Sequence, residues 1–358
     1  MKRVTLQMIA EQVGVSKALV SKALSNDTAV SDSTREEIWR TAHEMGYRFD
    51  KLRKPSIYSK TGNIAVLMPE AYLDDIEYWG KIIRGIDKEL ASRDLSIILS
   101  SINISLSPEE GMPASINEQK VDGALLLGHI PESYMEALEV IEMPFVLVDS
   151  NVQNGKHDHV LANNYNGAYE ATCKLLEMGH RQVGFVGDLE TAWSFRERDR
   201  GFEEAVNDFN FKSEYKAKIT WVRGVGVSGR GNYTHSEFAD KLKQAVTDEG
   251  VTGFFCANDM LAIEVLRHLN VWGLRCPEHY SLIGFDDLSL AEFMIPKLTT
   301  VRVPKEQIGS RAVKSILERI KDPSQMAEQI LLSTEFIERD SVKAVNDATA
   351  ILGTTIAE

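Results

Sequence analysis

From residue 62 onward the chain alternates short apolar runs with stretches of helical spacing, and that alternation restricts the fold more than any other feature. Asn63–Met68 is a β-rich apolar run, Trp79–Arg93 has helical periodicity, and Ser96–Leu99, Gly123–Leu127 and Pro144–Val148 read as strands. The same alternation continues with helices at Ala168–Met178, Asp199–Asp208, Glu237–Ala245 and Ala262–Leu269. Between them lie strands at Gln182–Val186, Ala217–Val222, Gly253–Cys256 and Ser281–Gly284. A chain ordered in this way folds as parallel sheets covered by helices, here two of them, with ligand sites at the carboxyl ends of the strands.

The first 47 residues follow another pattern. Leu6, Ile9, Ala10 and Val13 recur at helical spacing, Gly14 breaks the helix, and Ser16 caps a second one running to about Ser25. On that second helix Leu19, Val20, Ala23 and Leu24 share one arc, while Lys17, Ala18, Ser21, Lys22 and Ser25 share the opposite one. The outward arc is small, polar and basic, as a helix in the major groove of DNA must be. A third helix spans Ser31–Met45, which completes a helix-turn-helix unit. A plain helical bundle with a wetted polar face is the alternative, and the charge distribution argues against it. Residues 1–60 carry 11 Lys and Arg against 7 Asp and Glu, which leaves −17 to the rest of a chain whose net charge is −13. A basic head on an acidic body confines attraction for DNA to one end.

Other classes are restricted by composition. Hydrophobic content of 43% and charged content of 26% are ordinary for a globular chain of 358 residues, long enough for two or three domains. No apolar run of about 18 residues is present, and no apolar segment follows Lys2 and Arg3, so the expectation is a cytoplasmic protein without a membrane partner. Cys173, Cys256 and Cys276 are odd in number and form no C-x-x-C pair, and they read as reduced thiols without assigned chemistry.

Val4-Thr5-Leu6, Ile9-Ala10, Gly14-Val15-Ser16, Val20-Ser21, Val30-Ser31 and Gly46-Tyr47-Arg48 together resemble the headpiece of the LacI/GalR bacterial transcriptional regulators. The resemblance continues in order through Thr61–Val66, Val121-Asp122-Gly123, Gly179-His180-Arg181, Arg198–Phe202, Cys256–Asp259, Ile283–Asp287 and Leu298–Val301. It implies an α/β protein with a three-helix headpiece (residues 1–47), a linker or hinge (48–61) and a tail (341–358). Between them, residues 62–340 form a periplasmic-binding-protein-like body of two doubly wound parallel-sheet lobes. It also implies three chain crossings between the lobes, near residues 158–163, 288–296 and 321–326, with the effector bound in the cleft between them. The implied partners are a near-palindromic operator DNA, a sugar-like effector and a second copy of the chain. No Leu-rich heptad helix follows Asp340, so the homodimer is expected to go no further.

The DNA-contacting positions read from the outward arc and from the resemblance are Thr5, Ser16, Lys17, Ala18, Ser21, Lys22, Ser25, Ser31, Lys54 and Ile57. Two departures stand out. Leu19 and Lys22 occupy positions where the family often has Thr and Arg, and lysine reaches guanine without a planar fork. In the linker, Ser56 takes the place of the leucine wedge, Pro55 confines any hinge helix to starting late, and Ile57 is the substitute wedge.

By resemblance, Asp149, Arg198, Asn258 and Asp286 match effector-contacting positions, with Arg198 as a bidentate donor. The alternative for Asn258-Asp259 and Asp286-Asp287 is turn formation and helix capping. Tyr78, Trp79 and Trp193 are candidates for stacking on a sugar face, whereas Trp221 reads as core and Trp272 as structural. Gly224–Gly229 matches the dinucleotide fingerprint by letter. No helix opens directly from it and no acidic residue closes the next strand, so it reads as a cleft loop and no cofactor is expected. No nucleophile–base pair, H-E-x-x-H or Walker loop accompanies the carboxylates, so neither catalysis nor a metal is assigned.

Overall fold

A computed structural model describes residues 4–24, 30–45, 47, 61–150, 156–190, 192–223 and 235–345. The chain divides into two compact units, Met1–Gly62 and Asn63–Glu358.

In the first unit, helices α1 (Leu6–Val13), α2 (Lys17–Leu24) and α3 (Asp32–Glu44) close around Ile9, Ala10, Val20, Ala23, Leu24, Val30, Ile38 and Ala42, all buried. Each helix starts at a hydroxyl: the Met8 amide donates to Thr5 Oγ1, Leu19 to Ser16 Oγ at 3.1 Å, and Thr34 to Ser31 Oγ. Such caps contribute about 1 kcal/mol each. Gly14 ends α1 at φ 76°, a left-handed position that glycine takes without a Cβ penalty.

The second unit holds two parallel sheets. The first lobe has the order β11-β5-β4-β3-β1-β2, from β1 (Asn63–Pro69), β2 (Ser96–Ile102), β3 (Gly123–Leu127), β4 (Phe145–Val148), β5 (Asp158–Ala162) and β11 (Gln329–Leu332). The second has the order β7-β6-β8-β9, from β6 (Gln182–Val186), β7 (Lys218–Val222), β8 (Gly253–Cys256) and β9 (Ser281–Ile283). A short antiparallel pair, β10 (Thr300–Arg302) and β12 (Glu335–Ile337), extends the second lobe through a parallel bridge from Ile283 to Thr299. The central strands are buried on both faces, which is why β3 reads as an unbroken Gly-Ala-Leu-Leu-Leu.

Helices α4 (Lys81–Ala91), α5 (Pro108–Gly111), α6 (Ala114–Asn117) and α7 (Glu132–Val140) belong to the first lobe. Helices α8 (Asn164–Glu177), α9 (Trp193–Lys212), α10 (His235–Thr247) and α11 (Asp259–Val271) belong to the second. The last helix, α12 (Lys305–Lys321), returns to pack on α4 and on β3, β4 and β5. Bare backbone allows that approach, since a Cβ on Gly85 would stand 2.0 Å from the Glu306 carbonyl and one on Gly309 would stand 2.1 Å from that of Ile82.

The first crossing falls within the expected range, and the other two lie about ten residues later than expected. Asp158–Ala162 is itself a strand of the first sheet, so the chain leaves that lobe only at Asn163. Residues 288–296 stay with the second lobe, and the return runs through Val303–Lys305 into α12. The segment 321–326 stays within the first lobe, and the third crossing lies between β11 and β12. Strands of three or four residues, such as β10, β11 and β12, carry too little pattern to be read from the sequence. Trp221 is also not core. It is 39% exposed on the edge strand β7, with Nε1 donating to Asp199 Oδ1 at 2.9 Å and the Arg223 guanidinium 5.2 Å over its ring. Of the cysteines, Cys256 and Cys276 are buried and Cys173 is partly so, all reduced.

The Gly-His-Arg stretch has a structural job. His180 is fully buried, with Nδ1 2.9 Å from Thr252 Oγ1 and Nε2 2.8 Å from Ser281 Oγ. Ser281 Oγ in turn donates to the Lys343 carbonyl. Ser341–Val345 thus form a strap along β9, with Ser341 Oγ bonded to Leu282 O at 2.6 Å and the Val345 amide to Met178 O at 2.8 Å. Burial holds the His180 imidazole down to about 4, against an ordinary value of 6.5. Its folded pKa lies below the unfolded one, so the folded state binds fewer protons. The associated stability is complete above pH 6.5 and is lost as the pH falls from there to about 4, an effect of about 3 kcal/mol. Thermal melts between pH 7.5 and pH 4 should show this decline. In His180→Asn, which does not titrate, the decline should be shallower; an identical slope in both proteins contradicts the assignment.

Candidate functional site

Strand order reverses between β1 and β3 in the first lobe and between β6 and β8 in the second, and such points open a crevice at the carboxyl ends of the strands. The cleft residues stand at or just beyond those ends.

In the first lobe, a turn of π-helix at Ile76–Gly80 carries Tyr78 and Trp79, so the helical pattern expected from Trp79 begins with a wider turn. Asp75 caps it by accepting from the Tyr78 amide at 2.9 Å. Tyr78 Oη donates to Asp149 Oδ2 at 2.8 Å. Asp149 follows β4 directly, held at φ 49°, and its other oxygen, Oδ1, is buried without a hydrogen-bond partner. Burial raises the Asp149 pKa, opposed by the Tyr78 hydrogen bond and the charge of Arg198. Trp79 is 7% exposed. Tyr72 stacks on it at 5.0 Å and 11°, and Tyr78 meets its edge at 5.1 Å. Both rings of the stack lie over Gly128, where a Cβ would come 2.3 Å from Tyr72. Trp79 therefore backs the wall of the cleft, and Tyr72 is the more exposed ring of the pair.

In the second lobe, Arg198 on α9 is 2% exposed. Its Nε donates to Asn164 Oδ1 at 2.9 Å, Nη1 to the Ala257 carbonyl, and Nη2 to Asp286 Oδ1 at 3.0 Å. Its guanidinium lies 3.8 Å over the Phe285 ring. Arg198 thus spends three of its five N–H groups on the protein and organises the cleft floor, beyond the ligand-donor role expected of it. Asp286 follows β9 at φ 103°, and burial pushes its pKa up against the pull of Arg198 and Lys305. Asn258 is the N-cap of α11, its Oδ1 accepting from the Leu261 amide at 3.0 Å. Asp259 accepts from Thr300 Oγ1 and from the Leu288 amide, and burial, with the charge of Asp286, raises its pKa to about 7. Asp287 is tied to Arg302 and Arg339, both at 2.7 Å, as an internal strut. Trp193 is partly buried in the first turn of α9.

Lys305 was not anticipated from the sequence. The first residue of α12, it is 5% exposed, with Nζ donating to the Asp286 carbonyl and standing 5.8 Å from the Tyr78 ring centre. Tyr72, Asn164 and Phe285 were missed too. Tyr72 carried one readable signal, three residues beyond the carboxyl end of β1. A further contact ties the lobes: Glu77 Oε2 accepts from the Ser289 amide and hydroxyl at 3.2 and 2.9 Å, and also from Lys81 at 3.0 Å. These donors, Lys81 first, hold the Glu77 carboxyl at about 2.

The arrangement offers carboxylate acceptors, cationic donors and aromatic faces within one crevice, suited to holding a polyhydroxylated molecule. Among the described residues, no group of three His, Cys, Asp or Glu side chains is placed to hold a metal ion, and no helix is long and apolar enough to cross a membrane.

In the headpiece, Ser16, Lys17, Ala18, Ser21 and Lys22 lie exposed on one face of α2, opposite buried Val20, Ala23 and Leu24. Thr5, Ser16 and Ser31 also serve as the helix caps described above. Ser25, Lys54 and Ile57, together with Pro55, Ser56 and the Gly224–Gly229 loop, lie outside the described residues.

A helix-turn-helix unit and a two-lobed body with a ligand cleft define a DNA-binding transcription regulator with a ligand-binding domain. Residues 5–49 match the family model described as bacterial regulatory proteins, lacI family, and residues 173–342 match that of a periplasmic binding protein-like domain. The chain thus joins a lacI-family regulatory domain to a periplasmic-binding-protein-like domain. It is 25% identical over 343 residues to the HTH-type transcriptional repressor PurR of Aliivibrio fischeri, covering 94% of this chain and 98% of that protein. Among solved structures it resembles the complex of the transcriptional regulator CelR with cellobiose, with TM-score 0.66, 25% identity, and coverage of 95% of this chain and 100% of that one. It shares its fold with the lac repressor dimer bound to operator and the anti-inducer ONPF, with TM-score 0.71, 21% identity, and coverage of 96% and 100%.

Proposed function

We propose that the protein is a homodimeric, cytoplasmic repressor that binds a near-palindromic operator and releases it when a sugar closes the two lobes. The observation that carries the reading is the exposed Lys17-Ala18…Ser21-Lys22 face of α2, borne by the same chain as a cleft built from Asp149, Arg198 and Asp286. Two headpieces of a dimer sit one helical turn apart on DNA, so the operator mirrors the dimer symmetry. Thr5, Ser16 and Ser31 stand at helix N-termini, where amides and hydroxyls meet phosphate. Lys54 and Ile57 are proposed as linker contacts in the minor groove.

The sugar reading is supported by the cellobiose of CelR and by the acceptors and rings of the cleft: Asp149, Asp286, Tyr78, Trp79, Trp193 and the amide of Asn258. Sugar binding shifts lobe closure, and coupling to the headpieces typically amounts to about 1–3 kcal/mol. Lys22→Ala should cost about 1–3 kcal/mol at the operator and relax one base position. Binding measured by fluorescence anisotropy on an operator series checks this; an unchanged sequence preference overturns the role of Lys22 in base reading.

A further inference from the structure

We propose that the effector is an acid-bearing sugar whose carboxylate or phosphate is held by Lys305. The inference rests on the sugar reading above and narrows its class.

Lys305 is a cation set inside the protein, 5% exposed, at the point where the chain returns from the second lobe to the first. A buried ammonium is costly unless paired. Yet among the described residues no carboxylate oxygen lies within 4.0 Å of Nζ, and its hydrogen bond goes to a backbone carbonyl, that of Asp286. Two of its three N–H groups remain for a ligand.

Asp286, Asp259 and Asp287 all act on Lys305 through their charge, yet each is hydrogen-bonded to other groups and none pairs with it directly. Asp286 Oδ1 accepts from Arg198 at 3.0 Å, and Asp287 is paired with Arg302 and Arg339. Asp259 has its oxygens on Thr300 and Leu288. Lys81 is engaged by Glu77. Burial weakens the charged form of Lys305, which an incoming anion would restore.

The Tyr78 ring joins this cation to the opposite kind of vacancy. Its hydroxyl donates to Asp149, whose buried Oδ1 lacks a donor, and Lys305 Nζ stands over the same ring. A molecule lying along Tyr78 thus meets an acceptor in want of a hydroxyl at one end and donors in want of an anion at the other. A sugar carrying one acid group supplies both; a neutral sugar leaves the ammonium unpaired.

The test is calorimetric titration of the full-length protein with matched pairs: galactose and galacturonate, glucose and gluconate, ribose and ribose phosphate. For the pair that binds, the acid should bind roughly tenfold or more tightly than its neutral parent. In Lys305→Met, whose stem is of similar length and uncharged, that ratio should fall to near one. Neutral sugars are titrated both with and without inorganic phosphate. Strengthening of a neutral sugar by free phosphate in the wild type, absent from Lys305→Met, would overturn the acid-bearing effector and assign the seat to a separate anion. Equal or weaker binding of the acids in the wild type overturns the inference and leaves the sugar reading standing, as does a preference that survives Lys305→Met. Binding by no member of the panel overturns both.

Discussion

Arg198→Ala lowers the unfolding free energy of the body by about 3–5 kcal/mol and abolishes effector binding with it. The magnitude follows from what the side chain leaves behind. Arg198 is 2% exposed and bonds at once to Asn164 on α8, the Ala257 carbonyl after β8 and Asp286 after β9. Its removal strands a buried carboxylate, and an unpaired buried charge costs more than the lost pair contributes. Alanine also leaves the face of Phe285 without the guanidinium 3.8 Å above it. Urea unfolding followed by tryptophan fluorescence measures the loss. A companion protein, Arg198→Met with Asp286→Asn, removes both charges and should recover part of the stability while still failing to bind effector. An Arg198→Ala protein as stable as the wild type would mean that Asp286 is not held as described.

Gly201→Ala is the second large effect, a loss of about 3 kcal/mol or more in the same unfolding measurement. Gly201 lies on α9 where that helix crosses α8, and a Cβ there would stand 2.2 Å from the Tyr165 carbonyl and 3.0 Å from its carbon. Backbone cannot move aside as a side chain can, so the two helices must separate. Their separation would also displace Arg198, three residues earlier on α9, from Asn164 on α8. Effector affinity should therefore fall together with stability. A Gly201→Ala protein of wild-type stability would contradict the close approach of α8 and α9. The Arg-x-x-Gly-Phe stretch then has a physical reading. Arg198 organises the floor, Gly201 admits the neighbouring helix, and Phe202 fills the core against Phe185 and Phe255.

Much of this architecture was legible because the central strands are buried on both faces and therefore uniformly apolar. Gly123–Leu127, Gln182–Val186 and Gly253–Cys256 have the boundaries read from the sequence. Strands with polar residues and segments at the sheet margins were not legible. Asp158–Ala162 includes a buried aspartate and histidine and counts as a strand because of its neighbours, while Ser341–Val345 is ordered by the hydroxyl network of His180 and Ser281. Trp221 was misread because its strand lies at the edge of the sheet, with one side open. In the cleft, residues attached to strand ends could be anticipated: Asp149, Asn258 and Asp286. Lys305 could not, since a lysine after Pro304 at a helix start looks like any solvated first turn. Only the fold brings it to Tyr78 and Asp286.

The central claim, that a molecule in the cleft governs which DNA the headpiece holds, is tested most directly by selecting bound sequences from a random DNA pool with and without a mixture of sugars and sugar acids. The account predicts enrichment of a near-palindrome in the absence of the mixture and its loss in the presence of the mixture. No enriched sequence in either arm, or enrichment indifferent to every ligand, would contradict it.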